Sequence, residues 1–100
     1  VHDMTGYNYR MPNLNAALGC AQLEQLPGFL EHKRNLAESY RKALAGVRGV
    51  RFVVEPPATR SNYWLNCLVV ESGNAEDRNR LLGATHEAGM MARPAWVLIR

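Results

Sequence analysis

Four consecutive residues near the N-terminus, Tyr7, Asn8, Tyr9 and Arg10, combine ring, amide and guanidinium chemistry. An asparagine amide can donate to an anionic oxygen, and an arginine guanidinium can bind two such oxygens at once. The segment precedes a predicted helix, and a loop held by a rigid helix commonly carries binding groups. These residues therefore predict an anion-binding site, although an ordinary turn with packing tyrosines and a surface arginine would have the same composition.

Two further segments combine arginine with tryptophan. In residues 92–96 the proline favours an extended backbone at Arg93, and Trp96 offers a flat apolar face on which a sugar ring or nucleobase can stack. Residues 60–64, with the sequence Arg-Ser-Asn-Tyr-Trp, form the third candidate. Each segment is also compatible with a strand whose aromatic side chains pack in a core.

The elements that must position these segments are predicted in the order helix, helix, strand, strand, helix, strand. Their expected ranges are 13–26, 28–46, 50–54, 63–70, 74–88 and 90–92. The break between the first two helices is expected at Pro27-Gly28. Asn74 is expected to cap the third helix, with Asp77 as its partner, and Gly89 is expected to end it. This order predicts an α+β (α/β) unit in which helices pack on one face of a small sheet.

The apolar residues of the first predicted helix recur at helical spacing. Leu14, Ala17, Leu18 and Ala21 fall on one face, and the small residues beside them allow a close approach of another backbone. The pattern predicts a helix packed tightly against another part of the protein, and self-association where that part is missing.

The composition is that of one ordinary globular domain. The 100 residues are 47% hydrophobic and 21% charged, with a formal charge of +3, which excludes a disordered or collagen-like chain. The cations form no concentrated basic stripe, so nucleic-acid binding is not expected. The two cysteines, Cys20 and Cys67, lack the spacing of a disulfide or metal motif, so no metal is expected and a cytoplasmic setting is favoured.

No motif of a self-sufficient catalyst occurs in the sequence. It contains no Gly-x-Ser-x-Gly, no glycine-rich phosphate loop and no His-Glu-x-x-His, and its three histidines are scattered. No catalytic residue is therefore assigned. Because the sequence begins at Val1 and stops at Arg100 after an apolar stretch, we expect a piece of a longer protein.

The N-terminal segment resembles a motif of the nucleotide-sugar aminotransferases of the DegT/StrS type. The resemblance rests on residues 6–11, Gly-Tyr-Asn-Tyr-Arg-Met, followed by residues 15–19, Asn-Ala-Ala-Leu-Gly, and by Gln22-Leu23. Arg34 and Tyr40 match the arginine and tyrosine of that family's long helix. Residues 61–66 and 92–96 resemble its later blocks. The most similar branch makes 4-amino sugar nucleotides for glycans of the bacillosamine and legionaminic acid type.

The resemblance implies the C-terminal domain of the aspartate-aminotransferase (type I) fold, with residues 1–12 as an active-site loop. Residues 13–46 would be a helical pair, and residues 50–100 a small sheet unit. The implied cofactor is pyridoxal phosphate (PLP), and the implied reaction transfers an amino group from a donor such as glutamate to a keto-sugar nucleotide. The implied enzyme is a homodimer with a site shared between subunits.

The resemblance also assigns roles to individual residues. It implies that Asn8 and Arg10 bind the cofactor phosphate across the subunit boundary. Tyr9, Arg93 and Trp96 are expected near the substrate. The family's cofactor-binding lysine has no match in this sequence, because both lysines lie on the polar side of a predicted helix. The chain alone is therefore expected to be inactive.

Two other interpretations remain open. The sequence is compatible with a stand-alone interaction module that dimerises through its alanine-rich helix. It is also compatible with a small regulatory domain that binds an anionic metabolite through Arg10 and Arg93. Saturable binding of a ligand by the 100-residue chain would favour the regulatory domain.

Overall fold

The computed structural model describes residues 3–96. Two helices and two short strands follow one another as α1 (Asn13–Leu44), β1 (Val50–Phe52), β2 (Leu68–Val70) and α2 (Ala75–Glu87). The described part of the chain is thus a small α+β unit, as predicted. The expected strand at residues 90–92 is wrong, since these residues belong to no strand.

A single helix, α1, replaces the predicted helical pair of residues 13–46. It runs unbroken for 32 residues with Pro27 inside it. Proline removes one backbone N–H donor from the helix and so leaves the carbonyl of Leu23 without its usual partner. That stretch of α1 is exposed, so water can bind the carbonyl. The predicted break at Pro27-Gly28 is therefore wrong.

The two strands form an antiparallel pair, with Val50 opposite Val70 and Phe52 opposite Leu68. One hydrogen bond extends the pairing at each end: Val53 N–H donates to Cys67 O at 2.9 Å, and Glu71 N–H donates to Gly49 O at 2.9 Å. Both strands are shorter than their predicted ranges, 50–54 and 63–70. Residues 53–67 form the connection between them, which we call the β1–β2 connection.

The core lies where the C-terminal half of α1 packs against β1. Ala37 is 2% exposed and Phe52 is 8% exposed. The Phe52 ring stacks between Tyr40 at 6.4 Å and Tyr63 at 6.5 Å, measured between ring centroids. The N-terminal half of α1 is different, because Leu14 and Leu18, which were predicted to be packed against another part of the protein, are exposed here.

The second helix, α2, has the ends that its sequence predicts. The Asn74 side chain accepts a hydrogen bond from the Asp77 N–H at 2.7 Å and donates to the Asp77 carboxylate at 3.1 Å. Gly89 follows the helix with a φ of 74°, a left-handed conformation that glycine adopts without strain. Among residues 3–96, neither helix has the length and hydropathy required for a membrane span.

Candidate functional site

Asn8 and Arg10 are in direct contact in the segment that leads into α1. The Asn8 Oδ1 accepts from the Arg10 backbone N–H at 3.1 Å and from the Arg10 Nε at 3.4 Å. Since both bonds use the amide oxygen, the Asn8 Nδ2 and the two terminal guanidinium nitrogens keep their N–H donors available. Both side chains are exposed. The pair therefore presents two kinds of N–H donor to the surroundings.

Aromatic rings lie beside this pair. The rings of Tyr7 and Tyr9 are 6.1 Å apart between centroids and inclined at 51°, and Tyr9 is 90% exposed. A tilted aromatic pair of this kind supplies apolar area and a phenolic hydroxyl next to the donors. Such a combination suits a ligand that carries both an anionic group and a ring.

The C-terminal candidates, Arg93 and Trp96, follow a contact that ties the chain to α2. The His86 Nε2 lies 2.8 Å from the Ala92 carbonyl oxygen, and since a carbonyl only accepts, this nitrogen carries the proton. Arg93 Nη2 lies 3.7 Å from the Met91 sulfur. Trp96 is 75% exposed. Both side chains therefore remain available to a ligand or to another part of the protein.

The structure brings Asn8, Tyr9 and Arg10 together by their closeness in sequence, and it places Arg93 and Trp96 after α2. Within residues 3–96, no hydrogen bond or ion pair links the first group to the second. The five predicted site residues thus form two separate groups of exposed side chains. These contacts therefore do not bring the two groups of one subunit together into a single site.

The most extensive polar cluster in the described residues lies elsewhere, between α1 and the β1–β2 connection. Arg34 Nη2 lies 2.6 Å from Glu55 Oε1, and Arg34 Nη1 donates to Glu55 Oε2 at 3.1 Å and to the Ser61 carbonyl at 2.7 Å. The Arg34 guanidinium also lies 5.4 Å from the centre of the Tyr63 ring. Both charged groups are half-buried. We call Arg34, Glu55, Ser61 and Tyr63 the arginine cluster.

The charges of the arginine cluster are paired within it. Hydrogen bonds from Arg34, together with the Ser61 N–H, lower the pKa of Glu55 to about 2. The same carboxylate raises the pKa of Arg34. A groove of about 400 Å³ opens here, lined by residues that include Phe52 and Arg41. Since Arg34 is already held by a carboxylate and a carbonyl, this groove is a weaker anion site than the Asn8–Arg10 pair, and the cluster acts structurally.

Sequence reasoning missed the Arg34–Glu55 pair. The sequence indicates Arg34 as a match to the long helix of the resembled family, and no pattern in it singles out Glu55. The two residues are 21 positions apart. Helical spacing and strand alternation carry no information over that distance, so no local signal identifies the pair.

The donors of the Asn8–Arg10 pair fit the phosphate of pyridoxal phosphate, because a dianion is bound best by amide and guanidinium N–H groups. The lysines fit a cofactor-binding role poorly: Lys33 is exposed, and Lys42 Nζ lies 3.7 Å from Glu38 on the surface of α1. A lysine that binds the cofactor carbonyl must lie in a desolvated site. The residues described here therefore fit the phosphate end of the cofactor and not its carbonyl end.

Curated relatives show what the chain is similar to. It is 37% identical over 93 residues to the GDP-perosamine synthase of Vibrio cholerae, covering 93% of this chain and 25% of that protein. It is 37% identical over 95 residues to EpsN of Bacillus subtilis (strain 168), named as a pyridoxal phosphate-dependent aminotransferase, covering 95% and 24%. A dTDP-4-amino-4,6-dideoxy-D-glucose transaminase of Shigella dysenteriae is 30% identical over 91 residues, covering 91% and 25%.

The chain spans about a quarter of the length of these relatives. No solved structure gives a significant match. The sequence signature of the DegT/DnrJ/EryC1/StrS aminotransferase family matches residues 1–99. The predicted resemblance to this pyridoxal phosphate-dependent family is confirmed by that match and by the names of the relatives. The chain therefore belongs to the DegT/DnrJ/EryC1/StrS aminotransferase family.

Proposed function

We propose that these residues are the C-terminal domain portion of a PLP-dependent aminotransferase of the type I fold that acts on a keto-sugar nucleotide. Membership of the family supports this assignment, as do the three relatives, whose names refer to amino sugars or to pyridoxal phosphate. The amino donor is an amino acid such as glutamate, and the product is an amino-sugar nucleotide for surface glycan synthesis in the cytoplasm. When bound, PLP supplies the electron sink that amino-group transfer requires.

The observation that carries this proposal is the contact between Asn8 and Arg10. Because Asn8 Oδ1 accepts from Arg10 N and Nε, the amide is oriented with its Nδ2 donors away from the backbone of Arg10. The amide and the terminal guanidinium nitrogens then act together on a phosphate. They bind and orient the cofactor and take no part in proton transfer. Tyr9 lies next to them, where its ring and hydroxyl meet the substrate.

Further substrate contacts come from Arg93 and Trp96. The guanidinium of Arg93 suits the pyrophosphate of a sugar nucleotide, and the exposed face of Trp96 suits the sugar ring. A cofactor-binding lysine is supplied by a part of the protein outside these 100 residues, since Lys33 and Lys42 both lie on the exposed surface of α1. The 100-residue chain alone is therefore inactive.

The length of α1 favours a site shared between two subunits of a homodimer. The helix begins at Asn13, and its packed residue Ala37 lies 24 positions later, about 36 Å along the helix axis at 1.5 Å per residue. Asn8 is thus held far from the packed core of its own chain. A second subunit can bring its own cofactor pocket to that distant position.

Cofactor titration of the full-length protein tests the phosphate role of Asn8. We expect Asn8→Ala and Asn8→Asp to weaken PLP binding, because each removes the Nδ2 donors and aspartate also repels the phosphate. Loss of a hydrogen bond to a charged group predicts a decrease of about 10- to 150-fold for Asn8→Ala. Gln25→Ala is the matched control, because it removes an exposed amide that bonds only within α1. Equal affinity of Asn8→Ala and the wild type would contradict the proposal.

A mixed dimer tests whether the site is shared. One subunit carries Asn8→Ala, and the other lacks the cofactor-binding lysine of the full-length protein. If Asn8 acts across the boundary, one of the two sites in the mixed dimer contains both the lysine and Asn8, so about half of the wild-type activity returns. Activity is measured at a PLP concentration that loads the wild type but not Asn8→Ala. If Asn8 acts within its own subunit, neither site is complete, and the mixed dimer is then as inactive as its parents.

A further inference from the structure

The β1–β2 connection is held rigidly to α1 at one residue, Ser61. Its N–H donates to Glu55 Oε2 at 2.5 Å, and its carbonyl accepts from Arg34 Nη1 at 2.7 Å. Both partners belong to the same bidentate ion pair. The backbone N–H and carbonyl of Ser61 are therefore both held by charged groups, whose hydrogen bonds are stronger than those between neutral groups.

Tyr63 is fixed by the same cluster. Its hydroxyl accepts from the Glu55 N–H at 3.1 Å, and its own N–H donates to Ser61 Oγ at 3.0 Å. Its φ is 46°, in the left-handed region that side chains other than glycine seldom adopt. A conformation of this kind persists only where surrounding contacts determine it, and such residues concentrate at ligand-binding sites. The segment from Ser61 to Tyr63 is thus preorganised.

The residues that alternate with Ser61 and Tyr63 are exposed: Arg60, Asn62 and Trp64. Trp64 is 67% exposed, although tryptophan is usually well buried. The Asn62 Oδ1 accepts from the Trp64 N–H at 3.0 Å, which orients the Asn62 amide. Within residues 3–96, the side chains of Arg60 and Trp64 form no hydrogen bond, ion pair or ring stack. They contribute little to the fold that the structure describes.

Space for a ligand lies beside Arg60. A groove of about 340 Å³ is lined by Arg60 together with Thr59, Ser61 and Leu65, and Asn62 and Trp64 lie next to these lining residues in the chain without lining the groove themselves. Its lining combines apolar residues such as Val53 and Leu65 with polar ones such as Arg60 and Thr59, a combination typical of small-molecule sites. Four peptide units separate Arg60 from Trp64, so their Cα atoms are at most about 14 Å apart.

We propose that Arg60, Asn62 and Trp64 bind the nucleoside diphosphate part of the substrate, an inference that rests on the proposed function. The Arg60 guanidinium binds phosphate oxygens in a bidentate manner, and the Asn62 Nδ2 donates to a neighbouring oxygen. The Trp64 ring stacks on the nucleobase, an interaction that tolerates different bases because each has an aromatic face. Arg34 and Glu55 are positioning residues. They hold Ser61 and Tyr63, which alternate in the chain with the three residues that contact the ligand.

Calorimetric titration of the full-length protein, loaded with PLP, tests this assignment with GDP, dTDP and UDP as probes. We expect Arg60→Ala to weaken binding of the preferred nucleotide about tenfold or more, since it removes a charge-assisted contact. Trp64→Ala is expected to weaken it about three- to tenfold. Arg48→Ala, which removes an exposed arginine near the end of α1, is the matched control and should leave nucleotide affinity unchanged. All three substitutions should leave PLP affinity unchanged.

The outcomes separate this inference from the proposed function. If the wild type binds a nucleotide and both Arg60→Ala and Trp64→Ala bind it within twofold, the inference is overturned while the proposed function stands. If the wild type binds PLP but none of the three nucleotides, both this inference and the sugar-nucleotide substrate are overturned. Loss of nucleotide binding in Arg60→Ala, with PLP binding intact, supports the inference. Because both residues are exposed, the variants are expected to fold, and a melting curve checks this.

Discussion

At the scale of single residues, Glu55 connects α1 with two residues of the β1–β2 connection. It pairs with Arg34 of α1 and accepts the N–H of Ser61, while its own N–H donates to the hydroxyl of Tyr63. The bonds from Arg34 and from the Ser61 N–H favour the ionised carboxylate, which is why the pKa of Glu55 falls from 4.5 to about 2. The charge of this carboxylate is therefore linked to the stability of the fold.

The pH dependence of unfolding should reveal this link. The folded-state pKa lies below the unfolded one, so the carboxylate contributes its full stabilisation above about pH 4.5 and loses it as the pH falls towards 2. Glu55→Gln should be less stable at neutral pH and should lose less stability over the same acidic range. Urea unfolding at several pH values measures this. Glu71→Gln is the control, because Glu71 lies 4.0 Å from Arg51 in an exposed pair. Parallel pH profiles for the wild type and Glu55→Gln would refute the link.

At the scale of elements, the two helices show which local signals determine structure. The cap at Asn74 and the stop at Gly89 were predicted because each depends on chemistry within a few residues. The break at Pro27 was predicted by an equally local rule but does not occur. One missing N–H in an exposed stretch is offset by the many i→i−4 hydrogen bonds on either side. The rule that proline breaks a helix thus fails here, because one lost hydrogen bond costs less free energy than the intact helix on both sides of Pro27 contributes.

Removal of the internal proline should stabilise α1. Pro27→Ala restores a backbone donor and relieves the ring's clash with the Leu23 carbonyl, so we expect a gain of about 1–3 kcal/mol in the free energy of unfolding. Circular dichroism during urea unfolding measures both helix content and stability. Pro57→Ala is the control, since Pro57 lies in the β1–β2 connection. A loss of helix content in Pro27→Ala would show that the proline is needed for the helix as it stands.

Removal of the cap should destabilise α2. Asn74→Ala leaves the Asp77 N–H without its acceptor at 2.7 Å, with an expected cost of about 1 kcal/mol. Asn74→Asp keeps an acceptor oxygen at the same position and should stay close to the wild type. Thermal unfolding of the three proteins tests the cap, and equal melting temperatures for all three would exclude a stabilising role.

The contacts between residues far apart in the chain could not be predicted from the sequence. The Arg34–Glu55 pair and the stack of Tyr40, Phe52 and Tyr63 join residues that no helical or strand periodicity relates. The strands were predicted too long because their apolar residues suit a larger sheet, whereas only three residues of each strand find a partner here. The Asn8–Arg10 pair was predictable because its members are two residues apart. The separation of Arg93 and Trp96 from the Asn8–Arg10 pair was not predictable, because it depends on how distant parts of the chain are placed.

At the scale of the whole molecule, the described residues bury little. Two residues, Ala37 and Phe52, are buried, and the extents are 69 × 34 × 33 Å, far from spherical. Apolar side chains such as Leu14, Leu18 and Leu23 are exposed along the N-terminal half of α1. Exposed apolar surface of this extent is typical of an interface. We therefore expect this half of α1 to be covered in the full-length protein.

Expressed alone, the 100 residues should self-associate through that surface. Light scattering should give a mass above the 11.2 kDa of the monomer at high protein concentration. Leu18→Glu places a charge in the middle of the apolar surface and should lower the apparent mass. Gln25→Glu adds the same charge on α1 at a polar position and serves as the control. A monomer at every concentration would contradict this expectation.

Because α1 is unbroken, its length sets the distance between the Asn8–Arg10 pair and the arginine cluster. Each residue adds about 1.5 Å and turns the helix by about 100°. A deletion of one residue from the exposed half would therefore rotate Asn8 by about 100° around the helix axis. A deletion of seven residues, close to two full turns, would restore its orientation but draw it in by about 10 Å. The number of residues in this half of the helix is therefore as important to the position of Asn8 as their identity is to the apolar surface.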